Sequence, residues 1–305
     1  GNAAHFCCSV LLLTATAHLE AEFFNLRIFL AAGQNSNYIA AFLICILLIS
    51  LFYGKIFSST EGGAALDRLD KTVAKQMNIS RSGARQLIRS GAVEVNGKKI
   101  FAADEQLDIN SDELKISGKT VTVRRYLYIM LNKPSGVLSA AKDPDCPTVV
   151  DLLPPELSRR GLFPAGRLDK DTTGLLIITD DGDFAHRLIS PSHHVYKTYE
   201  ATLESDISEE QLDILRQGAV LGDGTECLPA RLRKISDEPP TVRVQIREGK
   251  YHQVKRMFAS VENSVVALRR TAIGALKLDS TLGEGEARLL TDGERKMIFS
   301  EAEII

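Results

Sequence analysis

Tryptophan is absent from the 305 residues, and cysteine is sparse: Cys7, Cys8, Cys45, Cys146 and Cys227 form no C-x-x-C pair. The missing tryptophan excludes nothing. The cysteine pattern argues against a disulfide framework and fits a reducing compartment. An excess of positive charge is also lacking, since 37 Lys and Arg stand against 39 Asp and Glu for a net charge of −2. Averaged over the chain, that balance gives no sign of a nucleic-acid partner, although an average hides patches. No apolar run is long enough for a membrane span: Ile39–Tyr53, apolar except for Ser50, has fifteen residues, where a spanning helix needs roughly 20. His193, His194 and His252 have no spaced carboxylate or cysteine to complete a tetrahedral set, so no metal site is expected. Asp180-Asp181-Gly182-Asp183 lacks the order and terminal glutamate of a calcium loop and reads as a strand-to-helix turn.

What is present is ordinary globular material, 44% hydrophobic and 25% charged, at a length that suggests two or three units. Residues 1–65 differ from the rest, with only Arg27 and Lys55 as fixed positive charges. Within them, Cys7–Ala17 has the apolar character of a signal peptide and ends in Ala15-Thr16-Ala17, but no basic segment precedes it. Three readings stay open: a membrane anchor over residues 38–54, a degraded signal, or upstream sequence foreign to the mature protein. The last is preferred, because nothing downstream needs a membrane. Glu61-Gly62-Gly63-Ala64-Ala65 reads as a linker.

From Leu66 the pattern changes to compact helices. Leu69, Val73, Ala74 and Met77 fall at helical spacing and predict a helix over 67–77. Ser80 is a good N-cap for a second helix over 81–90, with Ala84, Leu87 and Ile88 inward and Gly91 at its end. Arg81, Arg85 and Arg89 stand at i, i+4 and i+8, which aligns three guanidinium groups along one stripe. Val93–Ile100 then reads as a hairpin turning at Asn96-Gly97. Residues 66–100 carry eight basic side chains against three acidic ones, so the patch hidden by the average lies here. A basic helical stripe is most often just a solvated face.

A second region opens with the apolar strand Tyr126–Leu131 and the turn Asn132-Lys133-Pro134-Ser135-Gly136. A short helical piece is expected around Val149–Leu153. Its centre is the run Gly166-Arg167-Leu168-Asp169-Lys170-Asp171-Thr172-Thr173-Gly174, which leads directly into the strand Leu175–Thr179. A carboxylate next to a guanidinium, at the edge of a rigid strand, stays ionised and well aimed, as a nucleophile requires. Helices are predicted over 183–189, 208–217 and 251–260, and strands over 195–203, 226–236, 241–247, 264–270 and 275–279. Strands and helices mix without regular βαβ repetition, which points to an α+β fold with a largely antiparallel sheet flanked by helices.

The run around Asp169 resembles the catalytic motif of pseudouridine synthases, and residues 66–118 resemble the S4 RNA-binding domain. The resemblance covers 66–305 and implies an S4-like domain over 66–118 and a catalytic domain over 125–305. The stretches 190–199 and 248–258 are most similar to the RsuA branch, which acts on 16S ribosomal RNA. Related enzymes of 23S RNA more often carry Arg-Gln where this chain has His252-Gln253. The resemblance implies isomerisation of uridine without cofactor or metal, with Asp169 as nucleophile or covalent catalyst. Tyr199 is implied as the active-site tyrosine and Lys255 as the basic partner of Asp169, with Arg256 as its neighbouring alternative. Arg81, Arg85, Arg89, Lys133, Arg167, His194 and Arg256 are candidate RNA contacts. The expected partner is 16S RNA or a small-subunit assembly intermediate, and the expected protein is a cytoplasmic monomer. The alternatives are the same chemistry on 23S RNA and a non-catalytic RNA-binding or ribosome-assembly factor.

Overall fold

Residues 66–190 and 193–305 are described by the computed structural model, so the anchor, signal and extraneous-sequence readings of 1–65 lie outside the described residues. Among the described residues, no helix is long and apolar enough to cross a membrane. The chain opens with a short strand β1 (Leu66–Arg68) and helices α1 (Leu69–Gln76) and α2 (Arg81–Arg89). The Ser80 hydroxyl accepts from the Gly83 amide, the capping geometry that its position before α2 predicts. The hairpin β2 (Val93–Val95) and β3 (Lys98–Lys99) turns at Asn96 and Gly97, both at positive φ as such a two-residue turn demands. Then β4 (Gln106–Asp108) pairs with β1, while β5 (Leu114–Ile116) and β6 (Lys119–Val121) extend the hairpin into a four-stranded sheet. Leu69, Val73, Ala84 and Ile88 from the helices pack on Val93, Leu114 and Ile116 to form one small core.

The larger part is a nine-stranded sheet built on β7 (Tyr128–Lys133), β8 (Phe163–Pro164), β9 (Thr173–Thr179), β10 (Lys197–Leu203), β11 (Arg231–Asp237), β12 (Pro240–Ile246), β13 (Val265–Ile273), β14 (Leu276–Lys277) and β15 (Ala287–Leu289). Its main order is β11-β12-β10-β13-β9-β7-β15, and only β13 against β9 runs parallel. The sheet separates two cores. Ile129, Leu131, Leu176 and Ile178 face one of them, and Met130, Leu175 and Ile177 face the other. Both faces of β7 and β9 are therefore covered, which is why these strands read as continuous apolar runs rather than alternating ones.

Helices α3 (Gly182–Ile189), α4 (Glu209–Gln217), α5 (Gln253–Ala259) and α6 (Asp292–Met297) flank the sheet. Asp181 caps α3 by accepting from the Phe184 amide, so Asp180–Asp183 is the expected strand-to-helix turn. A reciprocal Ser208–Gln211 capping box starts α4. Two expectations need correction. The piece around Val149–Leu153 is not helical; the Asp151 carboxylate accepts from the Thr148 amide and hydroxyl and closes a turn instead. Helix α5 begins at Gln253 rather than Tyr251, because His252 adopts a left-handed conformation. Strand β15 and helix α6 lie beyond any predicted element.

The small and large parts meet at Asp180, directly after β9. Its carboxylate accepts from the Leu127 amide (2.8 Å) and pairs with Lys75 of α1 (2.7 Å) and with Arg159. Arg159 also donates to the carbonyls of Arg124 and Arg125, and Gln76 of α1 donates to that of Arg124. The connecting segment is thus held from both sides.

Candidate active site

The candidate site lies where the loop before β9 meets the turn before α5. Lys133, at the end of β7, stands on the same strand face as Ile129 and Leu131, and its side chain is fully buried. Its ammonium donates to the carbonyls of Pro134 (3.0 Å), Lys170 (3.1 Å) and Thr172 (2.9 Å). Burial pushes this lysine down to about 8, while the carboxylates of Asp171 and Asp169 act the other way. The assignment of Lys133 as an RNA contact is therefore corrected: it is enclosed by backbone carbonyls and has no hydrogen left for a phosphate. The rest of the loop is equally anchored. Ser139 Oγ donates to the Leu168 carbonyl and accepts from the Leu168 amide, and the Gly136 amide donates to Lys170 O.

Asp169 emerges from this loop with its side chain 30% exposed, into a cleft of about 550 Å³. Tyr199, buried on β10, lines the same cleft together with Arg167, Leu168, Tyr251 and His252. The expected pairing of Asp169 with Lys255 is not present. Lys255 Nζ lies 2.7 and 2.6 Å from the two oxygens of Asp171 instead. Arg256 is 2.6 Å from Asp223. The residue that faces Asp169 Oδ1, at 3.5 Å, is His252. The reason is helical geometry: Lys255 lies almost one turn after His252, so it meets the loop two residues further along.

Among the other RNA candidates, Arg167 and His194 are exposed, and His194 does not line the cleft. The arginine stripe of α2 is only partly free. Arg81 and Arg85 both reach the fully buried Asp70 at 2.9 Å, joined by Arg68 at 3.2 Å, while Arg89 stays exposed. Burial alone raises the Asp70 carboxyl, but hydrogen bonds from Arg68, Arg85 and Arg81 outweigh it and hold the group well below the usual range.

Sequence reasoning passes over Arg270. In register it lies between Tyr199 of β10 and Gly174 of β9. Its guanidinium donates to Leu175 O (2.7 Å) and to Tyr199 Oη (3.4 Å), and its Nη2 is buried without a hydrogen-bond partner among the described residues. The signal is present in the chain, because Leu268, Arg270 and Ala272 form the buried alternate set of β13. Gly174, at positive φ, permits the approach of β13: a Cβ there would lie 2.2 Å from Arg270 O. A separate hollow of about 700 Å³ is lined by Thr198 and Glu200, on the opposite face of β10 from Tyr199, and includes none of the candidate residues.

Comparison with known proteins gives this geometry a family. The S4 domain model matches residues 67–111, and the RNA pseudouridylate synthase model matches residues 127–260. An uncharacterized RNA pseudouridine synthase of Bacillus subtilis (strain 168) is 45% identical over 233 residues, covering 76% of this chain and 98% of its own. The ribosomal small subunit pseudouridine synthase A of Escherichia coli (strain K12) is 42% identical over 228 residues, covering 74% and 97%. A crystal structure of a pseudouridylate synthase aligns with TM-score 0.53 at 39% identity, over 76% of this chain and 99% of that one. With an S4 domain, a mostly antiparallel catalytic sheet and relatives matched over nearly their whole length, the chain belongs to the RsuA family of RNA pseudouridine synthases, which are isomerases.

Proposed function

We propose that this chain converts one uridine of 16S ribosomal RNA to pseudouridine in the cytoplasm, with Asp169 as the covalent catalyst. The observation that carries the chemistry is the pinned loop that holds the Asp169 carboxylate in a cleft beside Tyr199. The 16S target is supported by small-subunit pseudouridine synthases matched at 41–43% identity. The reaction breaks the N1–C1′ bond, turns the uracil and joins C1′ to C5; the hydrogen lost from C5 is balanced by one gained at N1. A carboxylate suits this step because positive charge develops at the anomeric carbon, whether it attacks C1′ or assists elimination to a glycal. The target nucleotide is flipped out of its strand, and the cleft keeps the detached base from escaping. Tyr199 stacks on the base or relays its proton. Lys133 positions Asp169 through the loop backbone, whereas the family resemblance implies Lys255 as a basic partner paired with it.

Pseudouridine mapping by carbodiimide labelling and primer extension tests this reading. Cells lacking the protein are complemented with wild type or Asp169→Asn. The expected result is one 16S position that returns only with wild type, while the variant still binds the RNA. A 23S position would overturn the target, and no change in either RNA would favour a binding factor.

A further inference from the structure

Tyr251 is 75% exposed although it lines the catalytic cleft. One face of its ring is stacked on His252, with centroids 3.8 Å apart and planes 17° from parallel. His252 in turn faces Asp169 at 3.5 Å, so the two rings stand in a row from the cleft to its mouth. The turn that carries them is fixed. Gln253 Oε1 accepts from the Lys250 amide, Gln253 Nε2 is bound to Glu248, and Arg256 donates to the Tyr251 carbonyl while pairing with Asp223. His252 keeps a left-handed backbone (φ 47°) in this turn, a conformation that persists only where the surroundings over-determine it. An aromatic ring held rigid, backed by a second ring and open to solvent on its other face, is a stacking surface for a nucleotide base.

We propose that the open face of Tyr251 stacks on the base next to the target uridine, so that the Tyr251–His252 pair holds the flanking nucleotide at the mouth of the cleft. The uridine itself passes inward toward Asp169 and the buried Tyr199. The inference rests on this cleft being the site of uridine isomerisation. The two rings then act differently, since Tyr251 touches RNA and His252 is a positioning residue that braces it.

Steady-state kinetics test the pair, using a 16S RNA assembled by ligation around a synthetic segment that contains the mapped uridine. Tyr251→Ala is expected to raise KM about 5- to 150-fold, the equivalent of roughly 1–3 kcal/mol of base stacking, and to change kcat less. Tyr251→Phe keeps the ring and restores KM. An abasic ribose at one neighbour of the uridine raises the wild-type KM by a similar factor and adds nothing further in Tyr251→Ala, the non-additivity expected of partners in contact. Wild-type KM in Tyr251→Ala, or additive effects of the two changes, overturns the proposal. If the wild type forms no pseudouridine in ribosomal RNA, the proposed function falls and this inference with it. An active wild type with an indifferent Tyr251→Ala refutes the inference alone.

Discussion

At the scale of single residues, Lys133 shows how a buried charge can pin the loop that carries the proposed catalyst. Its three acceptors include the carbonyls on either side of Asp171, and all of them lose a donor if the ammonium is removed. Lys133→Met keeps most of the volume. It should destabilise the protein by about 1–3 kcal/mol in chemical denaturation, the usual penalty for buried acceptors left unmade. It should also lower kcat more than tenfold with little change in RNA affinity, because the loop that aims Asp169 loosens. Unchanged kcat in a folded variant would show that the loop keeps its shape without the lysine. Asp169 stands out in the sequence because a long motif carries it, whereas Tyr199 is singled out only by the family resemblance, and both line the cleft. Lys133 reads as a surface residue because lysine is so rarely buried, although its two-residue spacing from Leu131 and Ile129 places it inside. Lys255 is assigned from sequence to the wrong carboxylate because spacing does not say where an exposed loop meets a helix.

At the scale of elements, local chemistry is the better guide. The cap at Ser80 and the Asn96-Gly97 turn can be read directly, since each is settled by a few neighbouring atoms. The α2 stripe is legible as spacing but not as chemistry. Its direction is clear, yet the carboxylate that gathers two of its arginines comes from α1, a tertiary fact. That carboxylate gives a pH prediction. An unfolded aspartate titrates near 3.9, and the folded value for Asp70 lies well below it. Its stabilising share is therefore fully present above about pH 4 and is lost as pH falls toward the folded value. Hydrogen exchange of α1 and α2 amides should accelerate on acidification below about pH 4. Asp70→Asn should speed it already at pH 7, by the equivalent of about 1–3 kcal/mol, and remove most of the acid dependence. Equal protection in wild type and variant at both pH values would mean that the arginines hold the helices by other means.

At the scale of the whole molecule, the α+β class follows from the mixture of strand and helix signals. The strand order does not, because β9 neighbours β13 across more than ninety residues of chain. Nothing local announces that crossing except Gly174, whose missing side chain lets the two backbones touch. The joint at Asp180 is equally invisible in the sequence. Asp180→Asn leaves the buried Arg159 and the partly buried Lys75 without their carboxylate, and loss of one partner from a buried pair costs about 3–5 kcal/mol. Small-angle scattering should then show a broadened distance distribution between the two parts, and KM for ribosomal RNA should rise. An unaltered distribution would put the stiffness elsewhere. On the proposed reading, the intact joint makes the protein a caliper, with one jaw on the cationic S4 helices and the other at the cleft. Substrate choice then becomes a matter of length as well as of letters. On the proposed reading, one base pair inserted between the two footholds abolishes modification even when every nucleotide around the uridine is kept.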